Sequence, residues 1–412
     1  MTKNAFLPAD ILLPYDVDMT KWSVIACDQF SSERDYWERV KTSVGAAPST
    51  LKLIVPEAYL GEVDTVQSAA GIASAMGEYI QAGLFKTYDT SYIYLERTLS
   101  DGRVRRGLMG RLDLELYDYT PGATTPVRAS EKTIISRLPA RIDIRRRAPL
   151  ELPHIMALID DSDCHVIEPL GSRTNCLEKV YDFMLMEGGG SIRGWRVTGN
   201  DTKEIEEGLR CLCDKSTIQI IIGDGNHSLA AAKAYWDEIK GSFSDEERQT
   251  HPARFALVEL NNVYDPAISF EAIHRVVFNV NAEALINELK KTLPVTNAGG
   301  YELRFVTSKG QGSLPVNAPN IGRLIELLQA FLDDYVKRTG SDIDYIHGED
   351  SVLSLTKQTG SVGFLLPAMD KSEFFRTVTT GGVFPKKSFS IGHARDKRYY
   401  LESREIGQED KK

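Results

Sequence analysis

Residues 223–228, "GDGNHS", bring two glycines, a carboxylate, an amide, an imidazole and a hydroxyl together. They follow the apolar run "TIQIII" and precede "LAAAKAYW", so the stretch reads as a turn from a buried strand into an alanine-rich helix. A turn of that kind exposes backbone N–H groups at the positive end of the helix dipole, which suits an anion. Gly223 and Gly225 let the backbone approach a ligand closely, and Asn226 and Ser228 add polar side chains. His227 can donate a hydrogen bond or move a proton near neutral pH. Asp224 repels a bare phosphate but suits a magnesium ion beside one. The same residue types also make an ordinary strand-to-helix connection. The dinucleotide fingerprint fails here, because Ser228 stands where its third glycine belongs, and no Walker pattern is present.

Phosphoryl transfer needs cations on the phosphates, a carboxylate-held metal and a base near the acceptor hydroxyl. Glu131, within "SEKTIISR", is the candidate base or metal ligand, flanked by Arg128 and Arg137 as anion contacts; a solvated charge is its plainer role. Asp16, in "PYDV", is the second candidate for metal, with an Asx-type turn as the alternative. Asp28 follows the apolar "WSVIAC" and would otherwise cap the next helix. His274 and Arg275 are adjacent in "FEAIHRVVF", where a strand turns them to opposite faces. Lys386 and Lys387, beside Ser388, suit a polyphosphate or form a solvated pair. Cys27 lacks a histidine partner in sequence and is not read as a nucleophile.

The elements that would position these groups are mixed. Helical spacing marks residues 31–45, 64–85, 281–291 and 321–338, and strand patterning marks 91–98, 105–119, 151–161 and 254–263. Residues 173–190 read as a helix stopped by Gly188, Gly189 and Gly190, and that stop divides an N-terminal lobe, 1–190, from a C-terminal lobe, 191–412, that carries the turn. "MDKSEFFRTVTTGG" reads as a late helix, and the last residues as a frayed tail. The expected fold is mixed α/β (α+β), with a partly antiparallel sheet and interspersed helices.

Net charge of −9 argues against nucleic acid or anionic membrane as a partner. Five cysteines with no C-x-x-C pair argue against a disulfide framework or structural zinc. With no long apolar segment, a soluble cytoplasmic protein is expected.

"GDGNHSLAAA" resembles the "DGHHRYETA" signature of the domain-of-unknown-function 1015 family. "LLPYDV", "YLERTLSDGRVRRGLMGRLDLELYDY", "VRASEKTIISRLPAR", "EAIHRVVF" and "VFPKKSFSIGHA" resemble further elements of that family in order. The glycine–histidine signature is also similar to that of the ParB/sulfiredoxin-like superfamily, which includes free serine kinases and whose equivalent turn holds nucleotide phosphates. That resemblance implies a ParB/sulfiredoxin-like core element and a magnesium-dependent phosphotransferase. Its donor would be ATP, ADP or a polyphosphate, and its acceptor a small hydroxyl compound such as serine. Ser228 stands where an arginine usually follows the histidine, so Lys386 or Arg137 would have to replace that clamp. A non-catalytic nucleotide-binding switch and a small phosphoester hydrolase remain the alternatives. The sequence leaves the oligomeric state open.

Overall fold

In the computed structural model, residues 3–59, 65–296 and 299–407 are described. Residues 408–412 of the tail expected at 407–412, and residue 64 of the helix expected at 64–85, lie outside them. The chain is mixed α/β and forms two compact units. The first comprises Met1–Ala129, Thr133–Ile268 and Ala394–Lys412; the second comprises Ser130–Lys132 and Ser269–His393. This division does not fall at the glycine stop. Residues Ala394–Lys412 return to the first unit, a long-range connection that local sequence pattern does not carry.

The first unit is built on a mixed sheet. Its strands are β1 (Phe6–Leu7), β2 (Ala9–Pro14), β3 (Phe85–Thr98), β4 (Val104–Asp113), β5 (Tyr117–Asp118), β6 (Val127–Ala129), β7 (Met156–Ile159), β8 (Glu178–Met184), β9 (Ser191–Val197), β10 (Ile220–Asp224) and β11 (Phe255–Asn262). The order is β8-β9-β3-β4-β11-β7-β10-β6-β5, with β1 on β4 and β2 on β3. The β8 to β11 side is antiparallel. Beyond it, β11–β7, β10–β6 and β6–β5 are parallel, while β7–β10 is antiparallel.

The residues 173–190 expected as one helix instead form a 3-10 segment, Glu168–Cys176, followed by β8. Val180, Tyr181 and Phe183 have strong strand preference, and pairing with β9 decides the outcome. The three glycines turn this hairpin. Gly188 and Gly190 take left-handed φ of 73° and 80°, and a Cβ on Gly190 would lie 2.0 Å from the Thr98 carbonyl oxygen.

The helices here include α1 (Arg34–Val44), α2 (Thr65–Gln81), α3 (Leu138–Arg147), α4 (Asn200–Lys215) and α5 (Asn226–Ile239). Asp28 does not cap α1; its N-cap is Glu33, without a side-chain cap bond. Strand β10 is apolar because it lies between two neighbours, and Ile220, Ile221 and Ile222 are buried. Helix α5 buries Leu229, Ala230, Ala231, Ala232, Tyr235, Trp236 and Ile239. Its alanines allow close packing on α3, where Leu138 joins Ala230 and Ala231 in one apolar cluster. No described helix is long and apolar enough to cross a membrane.

The second unit holds a six-stranded sheet of β12 (Phe270–Phe278), β13 (Tyr301–Thr307), β14 (Gly310–Val316), β15 (Asp342–His347), β16 (Ser361–Leu365) and β17 (Phe389–Ile391). The order is β14-β13-β16-β12-β15, with β17 also on β12, and every pair is antiparallel. Helices α6 (Ala282–Thr292), α7 (Ile321–Thr339), α8 (Glu349–Leu355) and α9 (Lys371–Gly381) complete it.

Candidate functional site

The turn between β10 and α5 gives its two glycines different tasks. Gly223 sits where the β10–β7 register shifts between Ile222 and Asp224, and a residue without a Cβ accommodates such an irregularity. Gly225 is the N-cap of α5, with φ 77° and ψ 23°, and no side chain closes the helix end. The Ser228 and Leu229 N–H groups close on the Gly225 carbonyl at 3.0 and 3.1 Å, and the helix dipole places partial positive charge at this turn.

Asp224 has both carboxylate oxygens engaged. Oδ2 accepts from Lys397 Nζ at 2.9 Å and Oδ1 accepts from the Gly225 N–H at 2.9 Å. Burial acts to raise its pKa, but the Lys397 charge and hydrogen bond outweigh it and hold the carboxyl below its usual range. A carboxylate tied in this way anchors the turn. Lys397 was not legible as a partner, because 173 positions separate the two residues.

His227 is set by its neighbours in the same unit. Its Nε2 accepts the Ile134 N–H at 3.1 Å, so its proton sits on Nδ1 and that nitrogen can donate. Burial, followed by the charges of Arg141 and Arg137, lowers its pKa to about 4, with Asp28 opposing them. The imidazole is therefore neutral at physiological pH and acts as a hydrogen-bond donor, with its basic nitrogen already occupied. Arg137 is exposed at the start of α3, and no carboxylate pairs with its guanidinium among the described residues. Arg141, one turn on, pairs with Glu57. A helix N-terminus, an Nδ1–H and an unpaired arginine thus occupy one neighbourhood, a set of donors suited to phosphate oxygens.

A family model described as "Protein of unknown function (DUF1015)" matches residues 12–376. The chain belongs to this family. No curated protein matches it in sequence. Among solved structures, a mutant free serine kinase in complex with AMP is similar at 10% identity and a TM-score of 0.42, covering 74% of this chain and 93% of that one. SbnI from Staphylococcus aureus, with a C-terminal truncation, is similar at 9% identity and a TM-score of 0.37, covering 69% and 82%. A conserved hypothetical protein from Pyrococcus furiosus is similar at 10% identity and a TM-score of 0.36, covering 73% and 95%.

The remaining residues singled out in this DUF1015 chain fall in several places. Asp16 lies in an exposed loop after β2 with φ 55°, and it is Asp18 that caps the following turn, accepting from the Thr20 and Lys21 N–H groups. Asn226 is buried at the start of α5. Ser228 Oγ lies 3.3 Å from His154 Nε2, so the hydroxyl in the arginine's place faces a second histidine. Arg128 Nε donates to the Thr125 carbonyl.

Glu131, His274, Arg275, Lys386 and Lys387 belong to the second unit. Glu131 bridges to Phe384 in parallel fashion, and its charge acts on Arg275. Arg275 is fully buried, donates from Nε to Gln329 at 3.1 Å and stacks over Tyr345, so it holds this unit together and offers no surface to a phosphate. His274 Nδ1 accepts the Leu366 N–H at 3.2 Å, and burial lowers its pKa. Lys386 and Lys387 are exposed, Lys387 with φ 59°. Among the described residues, no three His, Cys, Asp or Glu side chains gather where they could hold a metal ion.

The His227 environment sets a pH dependence. An imidazole whose pKa falls from 6.5 to about 4 on folding contributes stability that is complete above pH 6.5 and lost as pH falls toward 4. Because the ring is only partly buried, the loss is expected to be only about 1 kcal/mol after screening. Urea midpoints across that window should fall more steeply for the wild type than for His227→Gln, whose amide oxygen can still accept from Ile134. Parallel slopes would show that His227 is not held neutral by folding.

Proposed function

We propose that the chain is a magnesium-dependent phosphotransferase that moves a phosphoryl group from a nucleotide, ATP or ADP, or from a polyphosphate to a small hydroxyl compound, with free serine the first acceptor to test. The observation that carries this reading is the donor set at the α5 N-terminus: the uncapped helix end at Gly225, His227 with its proton on Nδ1, and the unpaired Arg137. In the transfer, the acceptor oxygen forms a bond to phosphorus as the donor's bridging P–O bond breaks. The hydroxyl proton leaves to solvent or base, and the nucleotide departs one phosphate shorter.

His227 would donate to a non-bridging phosphate oxygen, and Arg137 would take the place of the arginine absent at Ser228. Magnesium is commonly held by one or two carboxylates together with phosphate oxygens and waters, and it would neutralise developing charge. Asp224, which accepts one hydrogen bond on each oxygen and keeps further lone pairs, is one carboxylate proposed for that task. Asp28, whose charge reaches His227, is a second. Asp16 is the weaker alternative for metal, while Glu131 as a base and Lys386 and Lys387 as polyphosphate contacts are proposals about the second unit taken by itself. The setting we propose is cytoplasmic, with small molecules as partners.

One observation favours a second reading, a nucleotide-binding module without turnover. The two groups in the turn that could accept a proton, Asp224 and His227 Nε2, are both engaged by protein donors.

Phosphorus NMR separates the two. With magnesium, ATP, ADP or pyrophosphate and a pool of serine-like hydroxyl compounds, a new phosphomonoester signal is expected that requires an acceptor. His227→Ala should weaken it by roughly 10²-fold, the range for one lost transition-state donor. Nucleotide resonances that shift without turnover would select the binding module, and free phosphate alone a hydrolase.

A further inference from the structure

Beneath α5, the first unit contains a cavity of about 210 Å³. Ser228, Ala231 and Ala232 line it from α5, at spacings of three and four that share one helix face. Ile72, Met76, Ile144 and Leu257 make much of the remaining wall aliphatic. His154 and Tyr400 reach the same space, so a short row of polar atoms borders an apolar chamber.

These polar side chains are joined in series. Ser228 Oγ lies 3.3 Å from His154 Nε2, and His154 Nδ1 lies 3.0 Å from Tyr400 Oη. Tyr400 donates its own proton to Cys27 Sγ at 3.1 Å. Its oxygen therefore accepts from His154 Nδ1–H, as it does from the Cys27 N–H at 3.3 Å. With the ring proton on Nδ1, the bare Nε2 is turned to the Ser228 hydroxyl, which donates to it. Burial, with the Asp28 charge behind it, pushes the Cys27 thiol up to about 12, and burial also keeps the Tyr400 phenol protonated. Neither is a nucleophile here.

A hydroxyl, an imidazole base within its reach and a third group that fixes the base's tautomer are the parts of an activated serine nucleophile. Satisfying a buried histidine would account for the hydrogen bonds, but not for an aliphatic chamber opening on the same hydroxyl. Ser228 also lies in the first turn of α5, whose dipole favours the negative charge that an acyl intermediate develops. We propose that Ser228 is the nucleophile of an acyl-ester hydrolase site, with His154 its base, Tyr400 the residue that positions His154, and the cavity the pocket for the acyl chain. Ser228 Oγ bonds to the ester carbonyl carbon and its proton passes to His154 Nε2. That proton goes to the leaving alcohol oxygen as the ester C–O bond breaks. Water then attacks the acyl-serine, gives a proton to Nε2 and releases the carboxylic acid, and the proton returns to Oγ. Volume sets the chain length. A dry apolar cavity of about 150 Å³ takes the six carbons of benzene, so one of this volume takes roughly eight or nine heavy atoms, the size of a hexanoyl ester group. The site uses neither His227 nor Arg137 and does not depend on phosphotransfer.

The test offers the intact chain the para-nitrophenyl esters of acetate, hexanoate and dodecanoate, whose reactive leaving group reports an activated serine whatever alcohol the natural ester carries. The hexanoate should be hydrolysed about tenfold or more faster than the other two, a discrimination that a few methylenes in an apolar pocket provide. A fluorophosphonate should label Ser228, as mapped by peptide mass spectrometry. His154→Gln should slow hexanoate hydrolysis roughly 10²–10⁴-fold, the range for a lost general base, and Ser228→Ala at least as much. Ala232→Leu, one turn along the same face, should slow the hexanoate about tenfold and spare the acetate. Imidazole nitrogen NMR of the wild type should place the His154 proton on Nδ1, and Tyr400→Phe should release that preference. Undiminished hydrolysis in Ser228→Ala, a His154 proton on Nε2, or a wild type that neither hydrolyses nor takes the label would overturn the assignment. If the variants fail to fold, the wild type alone decides: label on residues other than Ser228, or equal rates for all three esters, reject the site.

Discussion

Replacing Glu259 by leucine should cost about 3–5 kcal/mol of stability, the range for leaving a buried charge without its partner. Glu259 lies on β11, fully buried, with Arg105 Nε at 3.3 Å and Arg398 Nη1 at 3.0 Å from its carboxylate, and Asn261 Nδ2 donating to it at 3.0 Å. Arg398 also pairs with Glu402, whose other oxygen accepts from Tyr181 Oη at 2.6 Å. Arg105 and Arg398 are themselves buried, so removing Glu259 strands two guanidiniums in a region water does not reach. Burial raises the Glu259 carboxyl, yet Arg105 and Arg398 overcome it and keep the group ionised below the usual carboxylate range. Its contribution is therefore present above the unfolded pKa and lost only as pH falls through the depressed folded one. Denaturant midpoints should rank wild type above Glu259→Gln, which retains an acceptor without the charge, and Glu259→Gln above Glu259→Leu. A leucine variant within 1 kcal/mol of wild type would mean that the arginines do not depend on this carboxylate.

That cluster also marks the limit of what the sequence discloses. β10 and α5 were legible because an apolar run and an alanine-rich repeat carry their own periods, and the 223–228 turn stands out by composition. The same holds for β11, α6, α7 and α9, whose ends depend on local caps such as Asn281, Asn320 and Asp370. Residues 173–190 misled because Val180, Tyr181 and Phe183 also fit a helical face, and only pairing with β9 makes them a strand. The site suffered more. Lys397 on Asp224, Tyr400 on Cys27 and His154, and Arg398 on Glu259 all come from a short C-terminal segment that inserts into the first unit. Each contact spans well over a hundred positions, and no local rule connects the partners. The tautomer of His227 was equally hidden, because it is fixed by a backbone N–H 93 positions away.

Gly225 joins stability to the proposed phosphate site, and its substitution should damage both. Gly225→Ala should lose about 2–4 kcal/mol, adding a left-handed penalty of roughly 1–2 kcal/mol to a steric one of similar size. The steric part arises because a Cβ there would lie 3.0 Å from Ile155 Cα, a backbone atom adjoining β7 that cannot rotate away. Gly83 supplies the control. Its φ of 66° is close to the 77° of Gly225, and nothing lies within 4 Å of the Cβ position, so Gly83→Ala carries the conformational penalty alone. The difference between the two variants in urea denaturation isolates the contact with Ile155. Relief of that contact would shift the first turn of α5 and with it the N–H groups beyond the cap, so affinity for ADP, measured by calorimetry on folded protein, should fall at least about tenfold. Gly83→Ala should leave that affinity unchanged. Equal losses of stability in the two alanine variants would refute the close approach to Ile155. Undiminished ADP binding in Gly225→Ala would move the phosphate site away from this turn, and the donor set of His227 and Arg137 would then need another ligand.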